Sequence, residues 1–223
     1  MRRRRRSGPL WLLFWAAVVL LSAPAIDILY AVWPWPDGPR GPAPIREAAL
    51  AEHERVASMA DGRVWRVIEA VRDGTYRVLW GWTGLDYLIR ETSAAEGGAS
   101  LNDGMRLLAG GARPVWEALY WGVMLRGMRF GVLAVSAPLF VVAAIGAVVD
   151  GIAAWWLRRT AAVRESGFIY HRAKLGLHLS VLALWLVYVL PPVPMDPATV
   201  IPPFVLLFAL ALRLSVTWFK KHL

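Results

Sequence analysis

The sequence predicts an all-α membrane protein with four transmembrane helices and a mainly helical segment between the first and the second. Three observations support this class. The chain of 223 residues is 57% hydrophobic and only 18% charged, which is too apolar for an ordinary soluble domain. Four apolar runs approach or exceed the roughly 20 residues that a membrane helix needs. The positive charge, formally +9, is concentrated in the short flanks of these runs.

The first and second runs differ in what surrounds them. Leu10–Trp33 follows five arginines and passes an Ala-x-Ala-like site at Ala23–Ala25, as a cleaved signal peptide would. Because the run continues far enough beyond that site to span a bilayer, its retention is favoured, and residues 1–33 form the arginine-rich terminus and the first helix. Phe130–Leu157, the second run, has Asp150 as its only charge.

The third and fourth runs are shorter or interrupted. Leu175–Leu190 is stopped by two consecutive prolines, which cannot continue a helix. The fourth run covers about Thr199–Phe219, and three residues interrupt it: Pro202, Pro203 and Arg213. Residues 130–223 are therefore expected to hold three transmembrane helices.

The distribution of Lys and Arg predicts the orientation. Five arginines precede the first run, five basic residues lie in the hairpin 158–174, and Lys220 and Lys221 follow the fourth run. Residues 34–129 contain twelve Arg and twelve Asp or Glu, a net charge of zero. Under the positive-inside rule, both termini and the hairpin are cytoplasmic.

Residues 34–129 are predicted to be a periplasmic, mainly helical segment lying against the membrane surface. After a linker rich in Pro and Gly, apolar residues recur at helical spacing from Ile45, with Gly62 expected to bend the helix and Asp73-Gly74 to end it. The sequence does not define the shape of 75–113. Membrane contact and simple packing both explain the five tryptophans that follow the linker: Trp65, Trp80, Trp82, Trp116 and Trp121.

The stretch before the second run is amphipathic and is expected to continue through Pro114 into the second helix. Asp27, near the outer end of the first run, is expected to be a solvated end residue. Arg126 and Arg129 fit a helix at the outer interface. The Gly127-x-x-x-Gly131 spacing would let another helix approach closely.

Asp150 is the most conspicuous intramembrane acid. It lies one to two turns inside the arginines that follow the second run, so an ion pair with Arg158 or Arg164 is the structural interpretation. The functional alternative is a small transporter or channel subunit in which Asp150 and Pro138 line a path.

The sequence contains no convincing catalytic, metal or cofactor site. It has no Cys, which excludes thiol nucleophiles and thiolate metal ligands. Ser166 and His171 lie five residues apart on a loop without a G-x-S-x-G motif. His53 has acidic neighbours but no second His nearby, and there is no phosphate-binding G-x-x-x-x-G-K-[ST] motif. We therefore expect no enzymatic activity, no cofactor and no metal.

The hairpin 158–174 carries apolar residues that topology does not explain. Glu165-Ser166-Gly167 offers the turn, and Phe168 and Tyr170 follow it. In one interpretation, their rings lie among anionic lipid headgroups that attract the basic side chains. In the other, they are anchors of a docking surface for a cytoplasmic protein, with the charges as its rim. Direct contact with nucleic acid is disfavoured, because anionic lipid is the nearer partner for the basic side chains. The sequence does not decide whether the chain forms a homo-oligomer.

The hairpin and the preceding helix end also resemble a known family. This region resembles a membrane-protein family encoded in integrating conjugative elements. The resemblance rests on three motifs: D-G in the second run, W-W-L-R-R after it, and then R-E-S-x-F-x-Y-H-x-A-K. The four-helix layout with a long first outer loop agrees. The resemblance implies a part in conjugative DNA transfer, beside a type IV secretion machine and its coupling ATPase. Our main hypothesis is therefore a non-enzymatic scaffold of a conjugation apparatus in a bacterial inner membrane. The resemblance also implies the motif positions Asp150, Gly151, Arg164, Glu165, Ser166, Phe168, Tyr170, His171 and Lys174.

Overall fold

The computed structural model describes residues 9–82, 84, 103–161 and 167–219. The regular elements of these residues are helical: α1 Pro9–Val32, α2 Ala43–Met59, α3 Gly62–Tyr76, α4 Asp103–Thr160, α5 Gly167–Leu184 and α6 Pro197–Thr217. A π-helical turn extends α3 at Arg77–Gly81, and another extends α5 at Trp185–Val189. The predicted all-α class is confirmed for this part of the chain.

Three of the described helices are long enough and apolar enough to cross a membrane. These segments are Gly111–Thr160 in α4, Phe168–Val189 in α5 with its π turn, and Pro197–Thr217 in α6. They correspond to the second, third and fourth apolar runs. Within α1, Leu21–Val32 is a shorter apolar helix, so a span by the first run stays a prediction.

Two local features of the segment between α1 and α4 differ from expectation. The long helix expected from Ile45 is two helices, because the chain breaks at Asp61, whose carboxylate caps α3 by accepting from the N–H groups of Arg63 and Val64. Asp73-Gly74 does not end α3, which continues to Tyr76 and into the π turn. The predicted continuity of α4 through Pro114 is confirmed.

The helix α6 begins where the sequence supplies a start signal. Asp196 is its N-cap, and the side chain accepts a hydrogen bond from the backbone N–H of Ala198 at 3.0 Å and from the Thr199 hydroxyl at 2.9 Å. Pro197 occupies the first helical turn, where the missing N–H is not needed. Pro202 and Pro203 lie inside α6 without ending it.

The chain divides into two compact units. The first consists of Met1–Glu54, Val71–Gly127 and Leu190–Pro194, and the second of Arg55–Ala70, Met128–Val189 and Met195–Leu223. In the first unit, Ala31, Ile45 and Ala118 form a buried cluster against Trp121. The core of the second unit is larger and consists of Val56, Ile68, Met128, Val132, Tyr188, Val189, Ile201 and Val205.

The tryptophans of the segment 34–129 do not share one environment. Trp80 is buried, and its ring meets the Tyr120 ring edge-on with centroids 5.7 Å apart. Trp121 also packs inside the first unit, with its ring edge-on to Tyr120 at 5.2 Å. Trp82, in contrast, is 82% exposed. Trp65 packs against the core of the second unit. Packing therefore explains Trp65, Trp80 and Trp121, and membrane contact stays a prediction for Trp82.

The Gly127-x-x-x-Gly131 spacing admits α3 to the surface of α4. In the first unit, a Cβ added to Gly127 would lie 3.1 Å from the Cα of Arg72. In the second unit, a Cβ added to Gly131 would lie 2.8 Å from the Cα of Ile68. Backbone approaches this close need the absence of a side chain. The close approach predicted from this spacing is confirmed.

Candidate functional site

The first unit contains a buried ion pair that was not predicted. Both side chains, Asp27 of α1 and Arg126 of α4, are almost fully buried. Arg126 donates to both carboxylate oxygens of Asp27, with the Nη2–Oδ1 distance 2.9 Å. Its Nη2 also donates to the backbone oxygens of Ala23 at 3.2 Å and Leu190 at 3.1 Å. The expectation of a solvated Asp27 was wrong, because its carboxylate has Arg126 as its partner instead of water. The interfacial position of the helix that carries Arg126 stays a prediction.

A glycine makes room for this pair. A Cβ at Gly122, one helical turn before Arg126, would overlap the Asp27 carboxylate and lie 2.7 Å from Arg126 Nη1. The carboxylate therefore occupies the space that any other residue at position 122 would fill.

A second buried arginine, in the second unit, supports the end of a helix. Arg129 is fully buried, and its Nη1 donates to the backbone oxygens of Tyr188 at 2.6 Å and Val189 at 3.5 Å. The last carbonyls of a helix have no N–H partner within it, and they carry a partial negative charge. A guanidinium satisfies both needs. The expected position of this part of α4 at the outer interface stays a prediction.

Asp150 and Gly151 join α4 to α6. The Asp150 carboxylate forms an ion pair with Nε of Arg213. Of the two predicted partners, Arg158 has other contacts and Arg164 lies outside the described residues. A Cβ at Gly151 would lie 2.8 Å from Cβ of Val216 and 3.0 Å from the backbone oxygen of Arg213. The D-G motif therefore has two structural roles: its acid pairs with α6, and its glycine allows the two backbones to approach.

Arg158 is instead bound to the end of α6. Its Nη1 donates to the backbone oxygen of Thr217 at 2.7 Å, and its guanidinium carbon lies 3.4 Å from the centroid of the Trp218 ring. Nearby, Trp155 Nε1 donates to the backbone oxygen of Phe219 at 3.3 Å. A cation at the C-terminus of a helix is favourable for the same reason as at Tyr188. These contacts fix the end of α4 against the end of α6.

The start of α5 lies beside this junction. The Tyr170 ring meets the Phe219 ring edge-on, with centroids 6.1 Å apart, and the Tyr170 side chain is partly buried. Phe168 is 64% exposed, and the Arg172 guanidinium lies 4.3 Å from its ring centroid. Of the two aromatic anchors that the sequence predicted, Phe168 is presented at the surface and Tyr170 packs within the unit.

The other predicted motif positions are placed as follows. His171 and Lys174 are exposed on α5, and the His171 ring lies 5.6 Å from that of Tyr170. Arg164, Glu165 and Ser166 lie outside the described residues. We call the set Arg158, Arg159, Phe168, Tyr170, His171, Arg172 and Lys174 the basic end of the second unit. Among the described residues, no group of three or more His, Asp or Glu side chains could hold a metal ion.

Except for those of α1, these residues fall within a region shared with known proteins. The sequence model of a family described as IncC plasmid conjugative DNA transfer protein DtrJ-like matches residues 43–220. The chain belongs to the DtrJ-like family. The match confirms the predicted relation to conjugative DNA transfer and includes the three helices that could cross a membrane. No curated protein and no solved structure matches the chain.

The residue that sequence reasoning missed in this DtrJ-like protein is Arg213. A signal for it was present in the sequence. Asp150 is the only charge in the second apolar run, and Arg213 is the only charge in the fourth. Two lone charges of opposite sign in separate membrane segments are expected to pair.

Proposed function

We propose that this DtrJ-like protein is a non-enzymatic inner-membrane component of a conjugative DNA transfer apparatus, with a surface for a coupling or secretion protein. Membership in the family supports the part in conjugative DNA transfer. Three helices with the length and composition of membrane spans support the location in a membrane. A type IV secretion machine encoded in an integrating conjugative element is the narrower setting of the proposal.

The proposed topology has four spans, with α1 as the first. The termini and the hairpin 158–174 face the cytoplasm, and residues 34–129 face the periplasm. The charge distribution of the flanks supports this arrangement. Reporters that are active on only one side of the membrane test it when fused at positions 100, 165 and 223. A periplasmic signal from 165 or 223, or a cytoplasmic signal from 100, would contradict it.

The observation that carries the partner proposal is the exposed Phe168 ring beside Arg172 at the basic end. Aromatic residues and arginine are enriched among the interface residues that contribute most of the binding energy. The start of α5, which carries the Phe168 ring, is held in place by neighbouring contacts. Tyr170 packs on Phe219, and Arg158 at the end of α4 binds the backbone oxygen of Thr217. A supported anchor loses little conformational entropy when a partner covers it.

Site-specific photocrosslinking in donor cells tests this surface. A benzoylphenylalanine at Phe168 should form an adduct with a coupling ATPase or secretion protein encoded by the same conjugative element, identified by mass spectrometry. Val181 is the matched control, because it is 59% exposed on the same helix within the predicted span. Lipid adducts alone at position 168, or the same protein adduct at both positions, would contradict the proposal.

A transporter or channel subunit that uses Asp150 is the second candidate function. The observation in its favour is that both side chains of the Asp150–Arg213 pair are about half exposed. The ion pair and the close approach at Gly151 support a structural role instead. In proteoliposomes, Asp150→Asn should abolish ion flux if transport is the function. Flux that is absent from the wild-type protein, or unchanged in the variant, would exclude this candidate.

A further inference from the structure

We propose that the groove between α5 and α6 binds one acyl chain of an anionic phospholipid, with the phosphate of that lipid on Arg172. The groove encloses about 250 Å³. The residues that line it are apolar apart from one arginine. They include Arg172, Ala173 and Gly176 on α5, and Leu207, Leu210 and Leu214 on α6. The proposal concerns a lipid, so it does not depend on any conjugation partner.

The apolar lining specifies hydrocarbon as the occupant. A buried water needs two to four polar partners, and Arg172 is the only residue with a polar side chain that lines this groove, almost entirely through its hydrocarbon stem. Both helices belong to segments with the length and composition of membrane spans, where the surrounding solvent is lipid. Gly176 keeps the groove open, because a Cβ there would already lie 3.7 Å from Cβ of Ala211. A larger side chain at position 176 would occupy the groove.

Arg172 specifies the charge of the lipid. Its guanidinium stacks near the Phe168 ring, and among the described residues no acceptor lies within hydrogen-bond distance of its N–H groups. A guanidinium presents its donors in a planar fork that fits two phosphate oxygens. Arg172 also lies two residues from Tyr170, which contacts Phe219 just beyond the end of α6. Aromatic residues at the ends of membrane helices commonly lie at headgroup level, where a phosphate would be found.

Native mass spectrometry of the full-length protein in mild detergent tests the proposal. The probes are dioleoylphosphatidylglycerol and dioleoylphosphatidylcholine, which share acyl chains and differ in net charge. We expect phosphatidylglycerol to bind at least about fivefold more tightly, a difference that one charge-assisted contact can supply. Arg172→Gln should remove this preference.

Two variants separate the groove from general surface charge. Arg159→Gln makes the same charge change at the basic end, but Arg159 stacks on Trp155 and does not line the groove. It should keep the preference. Gly176→Leu should reduce binding of both lipids by filling the groove. If Gly176→Leu does not fold, a diazirine-labelled phosphatidylglycerol on the wild-type protein supplies the same information, since it should label the segment Leu207–Leu214.

Three outcomes would overturn the proposal. Equal loss of preference in Arg159→Gln and Arg172→Gln would show attraction to diffuse charge only. Unchanged binding in Gly176→Leu, or labelling away from Leu207–Leu214, would place the lipid elsewhere. A dimer that excludes lipid would show that a second copy of the chain fills the groove. A lipid on Arg172 can add lipid adducts at Phe168, but the partner proposal depends on the protein adduct there, so the two proposals fail separately.

Discussion

Among the described residues, each unit contains one aspartate–arginine pair that joins two helices, and the two pairs have opposite environments. In the first unit, the side chains of Asp27 and Arg126 are 2% and 5% exposed, and two backbone carbonyls also accept from the arginine. In the second unit, the side chains of Asp150 and Arg213 are 58% and 45% exposed. The same two residue types therefore form an internal element in one unit and a surface contact in the other.

The difference teaches that burial, more than the type of charge, decides how much such a pair contributes to the stability of the fold. Breaking a buried pair leaves a charge without water or a counter-charge, which is strongly destabilising. Solvent-exposed pairs gain little, because water and salt screen them and two long side chains must be held in one geometry. The following predictions compare the two pairs under one condition, the purified protein in a mild detergent.

The largest expected effect is that of Asp27→Asn in the first unit. It should lower the free energy of unfolding by about 3–5 kcal/mol, because Arg126 keeps its charge in a buried site without its anion. Unfolding by denaturant, followed by helical circular dichroism, measures the loss. The double variant Asp27→Leu/Arg126→Leu removes both charges and should recover part of it. A loss below about 1 kcal/mol for the single variant would contradict the burial of the pair.

Gly122→Ala should disturb the same pair without changing any charge. The new Cβ would overlap the Asp27 carboxylate, and overpacking of this kind costs about 1–3 kcal/mol. Gly146→Ala is the matched control on the same helix, because a Cβ there meets no heavy atom within 4 Å. That variant should be neutral or slightly stabilising, since Ala has the higher helix propensity. Equal melting temperatures for the two variants would disprove the close contact.

Asp150→Asn should have a much smaller effect in the second unit. Asp150 lies only one to two turns inside the arginines that follow the second apolar run, where charged side chains can reach water at the interface. Both partners are also about half exposed, so we expect a loss of about 0–1 kcal/mol in the same unfolding experiment. Arg213→Gln should behave in the same way. If either variant costs as much as Asp27→Asn, the purified protein covers this pair, and the comparison between the units fails.

Asp61 extends the comparison to a carboxylate whose hydrogen bonds come from backbone N–H groups. Hydrogen bonds from the backbone N–H groups of Val64 and Arg63 hold the pKa of Asp61 below its ordinary value of 3.8. Its carboxylate therefore stabilises the start of α3 above that pH, and the stabilisation is lost as the pH falls through the lowered pKa. This is the smallest expected effect because the group is fully exposed.

Circular dichroism between pH 6 and pH 2 measures this effect as the difference between the wild-type protein and Asp61→Asn. Asparagine keeps a cap acceptor but has no charge to titrate. The wild-type protein should lose more helix signal than the variant in the acidic part of the titration. Parallel curves throughout would rule out a contribution from the Asp61 charge.

The features predicted correctly from the sequence were those encoded by local periodicity or spacing. The all-α class, the unbroken α4 and the close approach at Gly127 and Gly131 all follow from residues near one another in the chain. The ion pairs could not be obtained in this way, because their partners are 99 and 63 residues apart. Asp27 and Arg126 lie near the ends of apolar segments, where a solvated side chain is equally plausible from sequence.

The candidate surface was predicted in part for a related reason. The sequence placed two aromatic residues, Phe168 and Tyr170, in a basic hairpin, and both follow the turn at similar positions. Their exposure depends on Phe219, which packs on Tyr170 and lies far away along the chain. Periodicity carries no information about such a contact, so the sequence alone could not select Phe168 as the exposed anchor.

The contact between Arg129 and the end of the π turn has a consequence for biogenesis. Ribosomes synthesise Arg129 long before Tyr188, whose carbonyl oxygen it binds 59 residues later in the chain. The arginine must therefore be held by the insertion machinery, or stay near water, until the following segment emerges. Asp27, in contrast, has already been made when Arg126 appears. During translation, the ion pair of the first unit can close while the second unit is still incomplete.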